Sequence, residues 1–455
     1  MNFNRRLLFA AFAGASAGAA TPALARESGA ASAPRADIDA ASLGVRPDEE
    51  ADQSAVLQRA VERAAAAGAV LRLPPGSYRA SGLQLPSYAA IAGVAGATRI
   101  TLAGGSSLLS SGGSDRISLS GLVLDGANIV LPDGAGLVHL KQGRDVRIRD
   151  CEVVNVGGNG IMLDAIAGDV TGNSVIGAAG YAIFSNNAGG LRIDGNTVRG
   201  SGNNGIAVWR GAPGNDGTLV VDNRVEDTKN LSGGTGQWGN AINVFRADNV
   251  IVRGNRIRNA AYSAVRGNMA SNLQIVGNTC SGLGETAVIV EFGFQGAVIA
   301  SNIIDGAAVG IAITNFADGG RLAVVQGNLI RNLVRGRPAG EDQNNIDAFG
   351  ISVEADTTVT GNVLDNIEGT GIRAGYGPYL RDVTISSNVV RGTDRGIAVS
   401  VVSGSGTAVI ADNLISDARS GAIVGMEWEK TVTGDLSKDG AGQYAQLSIG
   451  GNRVR

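Results

Sequence analysis

The chain contains a single histidine, His139, two cysteines and only 4% aromatic residues in 455. That scarcity leaves no zinc-ligand spacing, and no nucleophile elbow or phosphate-binding glycine loop occurs. Positive charge is not in excess. The formal net charge is −3, and it becomes −5 once residues 1–25, which hold Arg5 and Arg6 and no acid, are removed. A nucleic-acid partner, which needs a basic face, is excluded on that ground. After residue 25 no apolar run is long enough to span a bilayer, so no membrane partner is expected of the mature chain.

Glycine is abundant instead, at 69 residues, about twice its usual share, which implies many tight turns. Hydrophobic residues make up 44%, enough for a large core. The first 25 residues, "MNFNRRLLFAAFAGASAGAATPALA", run from a basic start through an apolar stretch to a small-residue cleavage site at Ala23–Ala25, the pattern of a signal peptide. Arg5 and Arg6 before Leu7–Leu8–Phe9 resemble a twin-arginine signal. A periplasmic or secreted protein is therefore expected, with residues 26–35 as a flexible linker.

One phrase, "LRIDGNTV" at 191–198, returns along the chain. It places asparagine at Asn173, Asn196, Asn223, Asn255, Asn278, Asn302, Asn328, Asn362, Asn388, Asn413 and Asn452, with spacings from 23 to 39 residues. Between these phrases lies a second one, as in "GIAVW" (205–209) and "GISVE" (350–354). Alternation at period 2 puts one face of each strand inward. Short strands repeating at this length mark a solenoid, in which stacking closes a core that no single coil can bury. The expected fold is all-β: a right-handed single-stranded parallel β-helix of about a dozen coils, spanning residues 99–455. The asparagines are expected at an inward turn, each side-chain amide bonding those above and below as a ladder.

Cys151 aligns with the ladder position and Cys280 with an inward valine. Five coil steps separate them, roughly 24 Å at the strand spacing. A disulfide needs Cα atoms within about 7 Å, so two free buried thiols are expected. Residues 36–98 read as an N-terminal cap with a helix over 52–67, N-capped by Asp52 and stopped at Gly68, that covers the open end of the solenoid. An insertion at 425–446 reads as a lid over the other end.

The helix "QRAVERAAAAG" followed by "VLRLPPGSY" resembles the N-terminal region of the pectate-lyase-like β-helix superfamily. With the paired arginines and the asparagine-bearing coils, the chain is similar to twin-arginine-translocated repeat proteins of that superfamily. The resemblance implies carbohydrate, because lyases, hydrolases and epimerases of acidic polysaccharides share the scaffold. The Asn-Thr-Asp, Asp-Asp, Gly-His-Gly and Arg-Ile-Lys motifs of the polygalacturonase branch are absent. Fold alone does not choose among these activities.

Candidate chemistry therefore falls on outward positions of the "GIxVx" strand. Phe184, Trp209 and Phe245 come from successive coils and, with Trp238 from a neighbouring insertion, read either as a sugar-stacking row or as a small core under a loop. Asn243, Asp164, Lys141 and Arg373 complete the expected binding face. Arg266, Glu291 and Glu354 are the catalytic candidates. Glu291 and Glu354 lie two coils apart, roughly 9.6 Å at the backbone, a spacing that suits an inverting glycosidase. Alternatively the carboxylates hold calcium, the one cofactor suggested, while Arg266 or Lys141 takes the proton next to a uronate carboxyl. A solvated ladder of alternating charge is the plain alternative. Insertions at 227–240 and 335–349 wall this face, as long loops at functional sites do. Three readings stand: a lyase or epimerase of uronate-containing polysaccharide, a non-catalytic glycan-binding or structural module, and an inverting glycoside hydrolase. The sequence leaves oligomeric state open.

Overall fold

The alternating segments fold into short strands because every second side chain is apolar and the glycine-rich turns stop each run after a few residues. The computed structural model describes residues 36–455 apart from Thr235 and residues 338–346. The stretches read as a signal peptide (1–25) and a linker (26–35), and most of the 335–349 insertion, lie outside the described residues. The chain winds into a right-handed parallel β-helix of about 14 turns. Among the described residues, strands pair in parallel with the coils before and after, and the one antiparallel strand pair joins Ile423–Glu427 to Lys430–Asp435.

Three strand stacks line the core. Ile193, Val220, Val252, Ile275 and Ile299 follow one another in register in the first. Val198, Val225, Ile257, Cys280 and Ile304 do so in the second. Ile206, Ile242, Val265, Val288 and Ile311 do so in the third. All of these are buried, and each such side chain contributes roughly 1.5–3 kcal/mol of burial.

The corner between the first and second stacks holds the asparagines. From Asn173 to Asn413 each side-chain Nδ2 donates to the Oδ1 of the next asparagine at 2.9–3.0 Å. Each backbone N–H of the column donates to that same oxygen, also at 2.9–3.0 Å. The second amide hydrogen goes to a backbone carbonyl of the preceding coil, as from Asn278 to Val252 at 3.1 Å. Every polar atom of a buried ladder residue thus has a partner. The residue before each asparagine has a left-handed backbone: Gly172, Gly195, Asp222, Gly254, Gly277, Ser301 and their counterparts all have φ between 53° and 68°. Small or Asx-type residues tolerate that region, which explains the recurring Gly-Asn and Asp-Asn pairs.

Cys151 occupies the column above Asn173 and donates its backbone N–H to that oxygen at 3.0 Å. Both cysteines are free and buried. Burial pushes the Cys151 thiol up to about 11 and the Cys280 thiol up to about 12.

The capping helix spans Ser54–Ala66 and buries Leu57, Val61 and Ala64. It starts two residues later than the sequence pattern implies, because the Asp52 carboxylate accepts from the Ser54 backbone N–H at 2.7 Å without itself entering the helix. Parallel pairing begins at Asp37–Asp39, so residues 36–98 are the first coils with the helix laid on them. In the 425–446 insertion, Leu436 is buried in the main core. Asp435 accepts the backbone N–H groups of Ala422 and Ile423 at 3.1 and 3.2 Å, covering that strand edge.

Two outcomes test this architecture. Asn278→Ala leaves the Asn255 donors and the Val252 carbonyl unpartnered in a dry column, and each unsatisfied group costs about 1–3 kcal/mol. A loss of at least about 3 kcal/mol in denaturant unfolding is expected. Neither thiol should react with a maleimide at pH 8 in native protein, and both should react once the chain is unfolded.

Candidate functional site

Regular coils give the third stack an outward face on which two rows of side chains run along the solenoid. One row passes through Met162, Phe184, Ala207, Asn243, Arg266, Ile289, Ala312, Ser352 and Arg373. The other passes through Lys141, Asp164, Asn186, Trp209, Phe245, Asn268 and Glu291. All the expected binding and catalytic residues belong to this face or border it, but the insertions divide it into four environments.

The first is polar. His139 Nε2 lies 3.1 Å from Asp164 Oδ2, and Asn186 donates to the other carboxylate oxygen at 3.0 Å. The hydrogen bond with His139 is the main cause holding Asp164 below the usual carboxylate range. Lys141 beside it is exposed.

The second is aromatic. Trp238 stacks on Trp209 with centroids 5.9 Å apart and planes at 16°. Phe184 and Tyr181 meet Trp209 edge-on at 5.4 and 5.8 Å, and Phe245 lies 5.3 Å away. These rings are half-buried. The 227–240 insertion folds over them, so the rings form a partly covered cluster with only limited aromatic surface open to a ligand. Asn243 is buried under the same loop and donates to the Gln237 carbonyl at 3.2 Å.

The third holds Arg266 and Glu291. Arg266 donates through Nε to Glu291 at 2.6 Å and through Nη1 to the Gly236 carbonyl at 2.6 Å. Asn268 donates to the same Glu291 oxygen at 3.1 Å. This guanidinium is committed to an ion pair and a backbone carbonyl, an arrangement that disfavours it as a proton acceptor.

The fourth is a cavity of about 280 Å³ lined by Phe349, Ser352, Glu354, Arg373, Tyr376 and Glu429, among others. Arg373 donates through Nε to Ser352 at 3.0 Å. Its guanidinium sits 4.0 Å from the Phe349 ring centroid and 5.3 Å from that of Tyr376. Among the described residues no carboxylate lies within ion-pair distance of it. Asp347 at the rim is held instead by Arg395 and Arg335, at 2.5 and 3.1 Å. Burial lowers the Arg373 pKa, opposed chiefly by Glu354. Glu354 is buried and accepts the Phe316 backbone N–H at 2.7 Å. Burial nonetheless raises its pKa above the ordinary value, against the Phe316 hydrogen bond and the Arg373 charge.

Glu291 and Glu354 therefore have different partners and line different cavities. Among the described residues no group of three or more His, Cys, Asp or Glu could hold a metal ion. Glu291 is already engaged by Arg266 and Asn268, and Glu354 by the Phe316 backbone N–H.

The sequence pattern located Arg373 and Glu354 but missed Phe349, Tyr376, Asp347, Arg337 and Glu429. Phe349 precedes the alternating part of its strand. Tyr376 lies in "GYGPY" (375–379), a short excess after the strand that was the one available signal. Glu429 belongs to the insertion read as a lid.

The family model described as right handed beta helix region matches residues 98–225, 169–332 and 213–380. No curated protein matches the sequence. Among solved structures, PfbA, a surface adhesin of Streptococcus pneumoniae, is similar at 15% identity and TM-score 0.52, covering 87% of this chain and 94% of that one. The pre-mature gene product 12 of bacteriophage phi29 is similar at 14% identity and TM-score 0.52, covering 85% of this chain and 63% of that one. An alginate lyase in complex with a trisaccharide shares 17% identity at TM-score 0.49, covering 92% and 96%. At these identities the likenesses show the fold alone.

The raised Glu354 pKa has a thermodynamic consequence. A carboxyl whose folded pKa exceeds its unfolded value contributes stability below the unfolded pKa and loses it as pH rises through the folded one. Glu354→Gln should therefore unfold at higher denaturant than wild type at pH 8, with the gap closing toward about pH 4. Paired urea titrations across that range check the sign.

Proposed function

The chain belongs to the right-handed β-helix family, and on that scaffold we propose that it is an exported protein that binds uronate-containing polysaccharide and acts on it as a lyase or epimerase. The observation carrying the proposal is Arg373: a partly desolvated guanidinium lining a cavity, with no carboxylate contact among the described residues. A buried charge is costly unless paired. An incoming carboxylate would supply the missing partner, and the planar guanidinium suits bidentate contact. The leader read at residues 1–25 supports export.

The chemistry follows from the charges. Pairing with Arg373 withdraws charge from the uronate carboxylate and eases loss of the proton on the adjacent carbon. Glu354, whose pKa burial raises, would in its protonated form donate a proton to the leaving oxygen in a lyase. Arg266 is better suited to holding Glu291 in place, and Lys141 lies many coils away. The half-buried Trp209, Trp238, Phe184 and Phe245 are proposed to offer their open edges to sugar rings farther along the face.

The proposal is tested by presenting mature protein with uronate polymers and neutral glucans. Retention on a uronate polymer is expected, with ultraviolet absorbance of an unsaturated uronate or exchange of solvent deuterium next to the carboxyl. Arg373→Ala should lower kcat/KM about 100-fold or more. Retention without either product would replace the enzyme by a glycan-binding module. Neither retention nor product on any polymer would end the proposal.

A further inference from the structure

The 425–446 insertion does more than cover a strand edge. Its two strands pair with Met426 opposite Thr431 and Glu427 opposite Lys430, so Trp428 and Glu429 form a two-residue turn. Trp428 has φ 54°, a left-handed backbone that a bulky aromatic residue rarely adopts. The residue is also 48% exposed, so core burial does not explain the conformation.

Docking does. The Trp428 ring lies against Gly377, where an added Cβ would fall 2.5 Å from two of the ring carbons. Only glycine fits beneath that ring. The ring also meets Tyr376 edge-on, with centroids 5.1 Å apart at 81°. Tyr376 is itself fixed by backbone hydrogen bonds exchanged with Tyr379, at 3.3 and 3.1 Å. This seating places Glu429 where its Oε1 accepts the Tyr376 hydroxyl at 2.9 Å. Tyr376, Glu429, Arg373 and Glu354 all line the same cavity. Residues more than fifty positions apart are thus brought together by a strained turn at a proposed anion site, the kind of place where strain is retained for function.

We propose that Tyr376 is the catalytic proton acceptor of this site and that Glu429, delivered by the Trp428 turn, is the positioning partner that takes the phenolic proton. This rests on the uronate reading of the Arg373 cavity. As the phenol oxygen takes the proton next to the uronate carboxyl, its own proton passes to the Glu429 carboxylate. The C–H electron pair delocalises onto the carboxylate held by Arg373. In a lyase that pair then forms the carbon–carbon double bond as the neighbouring carbon–oxygen bond breaks. The leaving oxygen takes the Glu354 proton. No oxidant, reductant or further reactant is required.

The test uses the mature chain and the polymer on which wild type forms product, with Tyr376→Phe, Glu429→Gln, Glu429→Asp, Glu429→Ala and Trp428→Gly. Tyr376→Phe and Glu429→Gln should each lower kcat about 100-fold or more with KM within about threefold. Glu429→Asp should keep part of the activity, and added formate should restore turnover to Glu429→Ala, which a purely structural role would not allow. Trp428→Gly relieves the backbone while removing the docking ring, and should lose turnover without losing the fold. If Glu429→Gln and Tyr376→Phe match wild type while Arg373→Ala is inactive, the inference fails and the uronate reading stands. If Arg373→Ala also matches wild type, or wild type neither forms product on any polymer nor is retained by one, both fail; retention without product overturns the inference and leaves a uronate-binding site. If Glu429→Gln does not fold, Glu429→Asp and Tyr376→Phe decide.

Discussion

The hydrogen bond from one asparagine amide to the carbonyl oxygen of the next is the constraint on which the rest depends. At each turn the chain must bend inward, and the bend would leave backbone and side-chain polar groups in a dry core. An isolated buried amide would be a liability. Stacked on identical neighbours 2.9–3.0 Å away, it becomes a satisfied link in a column. The column also sets phase. A strand shifted by one residue would turn its whole apolar set toward water, and the asparagine forbids that shift by having only one place to bond.

Phase control at one corner liberates the opposite side of the coil. Insertions can enter between the second and third stacks without disturbing register, because the next asparagine restores it. The 32-residue step from Asn223 to Asn255 and the 34-residue step from Asn328 to Asn362 still close with Nδ2–Oδ1 distances of 3.0 and 2.9 Å. Extra chain therefore accumulates over the third stack and divides an otherwise uniform face into a polar patch, an aromatic cluster, a closed ion pair and a cavity.

Charge treatment separates the last two. Arg266 and Glu291 neutralise each other and give a stable but chemically quiet contact. Arg373 instead packs its guanidinium against aromatic rings, and its nearby carboxyl, Glu354, is driven toward neutrality by burial. The two arginines share one row of the sheet. They differ in their neighbours: Arg266 meets Glu291 of the next coil and the Gly236 carbonyl of an insertion, whereas Arg373 meets Ser352 and the Phe349 ring.

The repeat made the inner half of the protein legible. Asparagine positions, apolar phase, the two thiols and the outward positions Arg373 and Glu354 all follow from period 2 and a returning turn, since every coil repeats the same local problem. The helix start was displaced by two residues, because Asp52 accepts the Ser54 backbone N–H from outside the helix. The outer half was not legible. That Arg266 also binds a carbonyl depends on the fold of the loop at Gly236, and whether Glu429 reaches Tyr376 depends on a tryptophan seated on Gly377. Local periodicity thus determined which side chains face inward and which face out. Only the tertiary structure decided which outward side chains meet, because the segments that bring them together occur once each and fold back over coils distant in sequence.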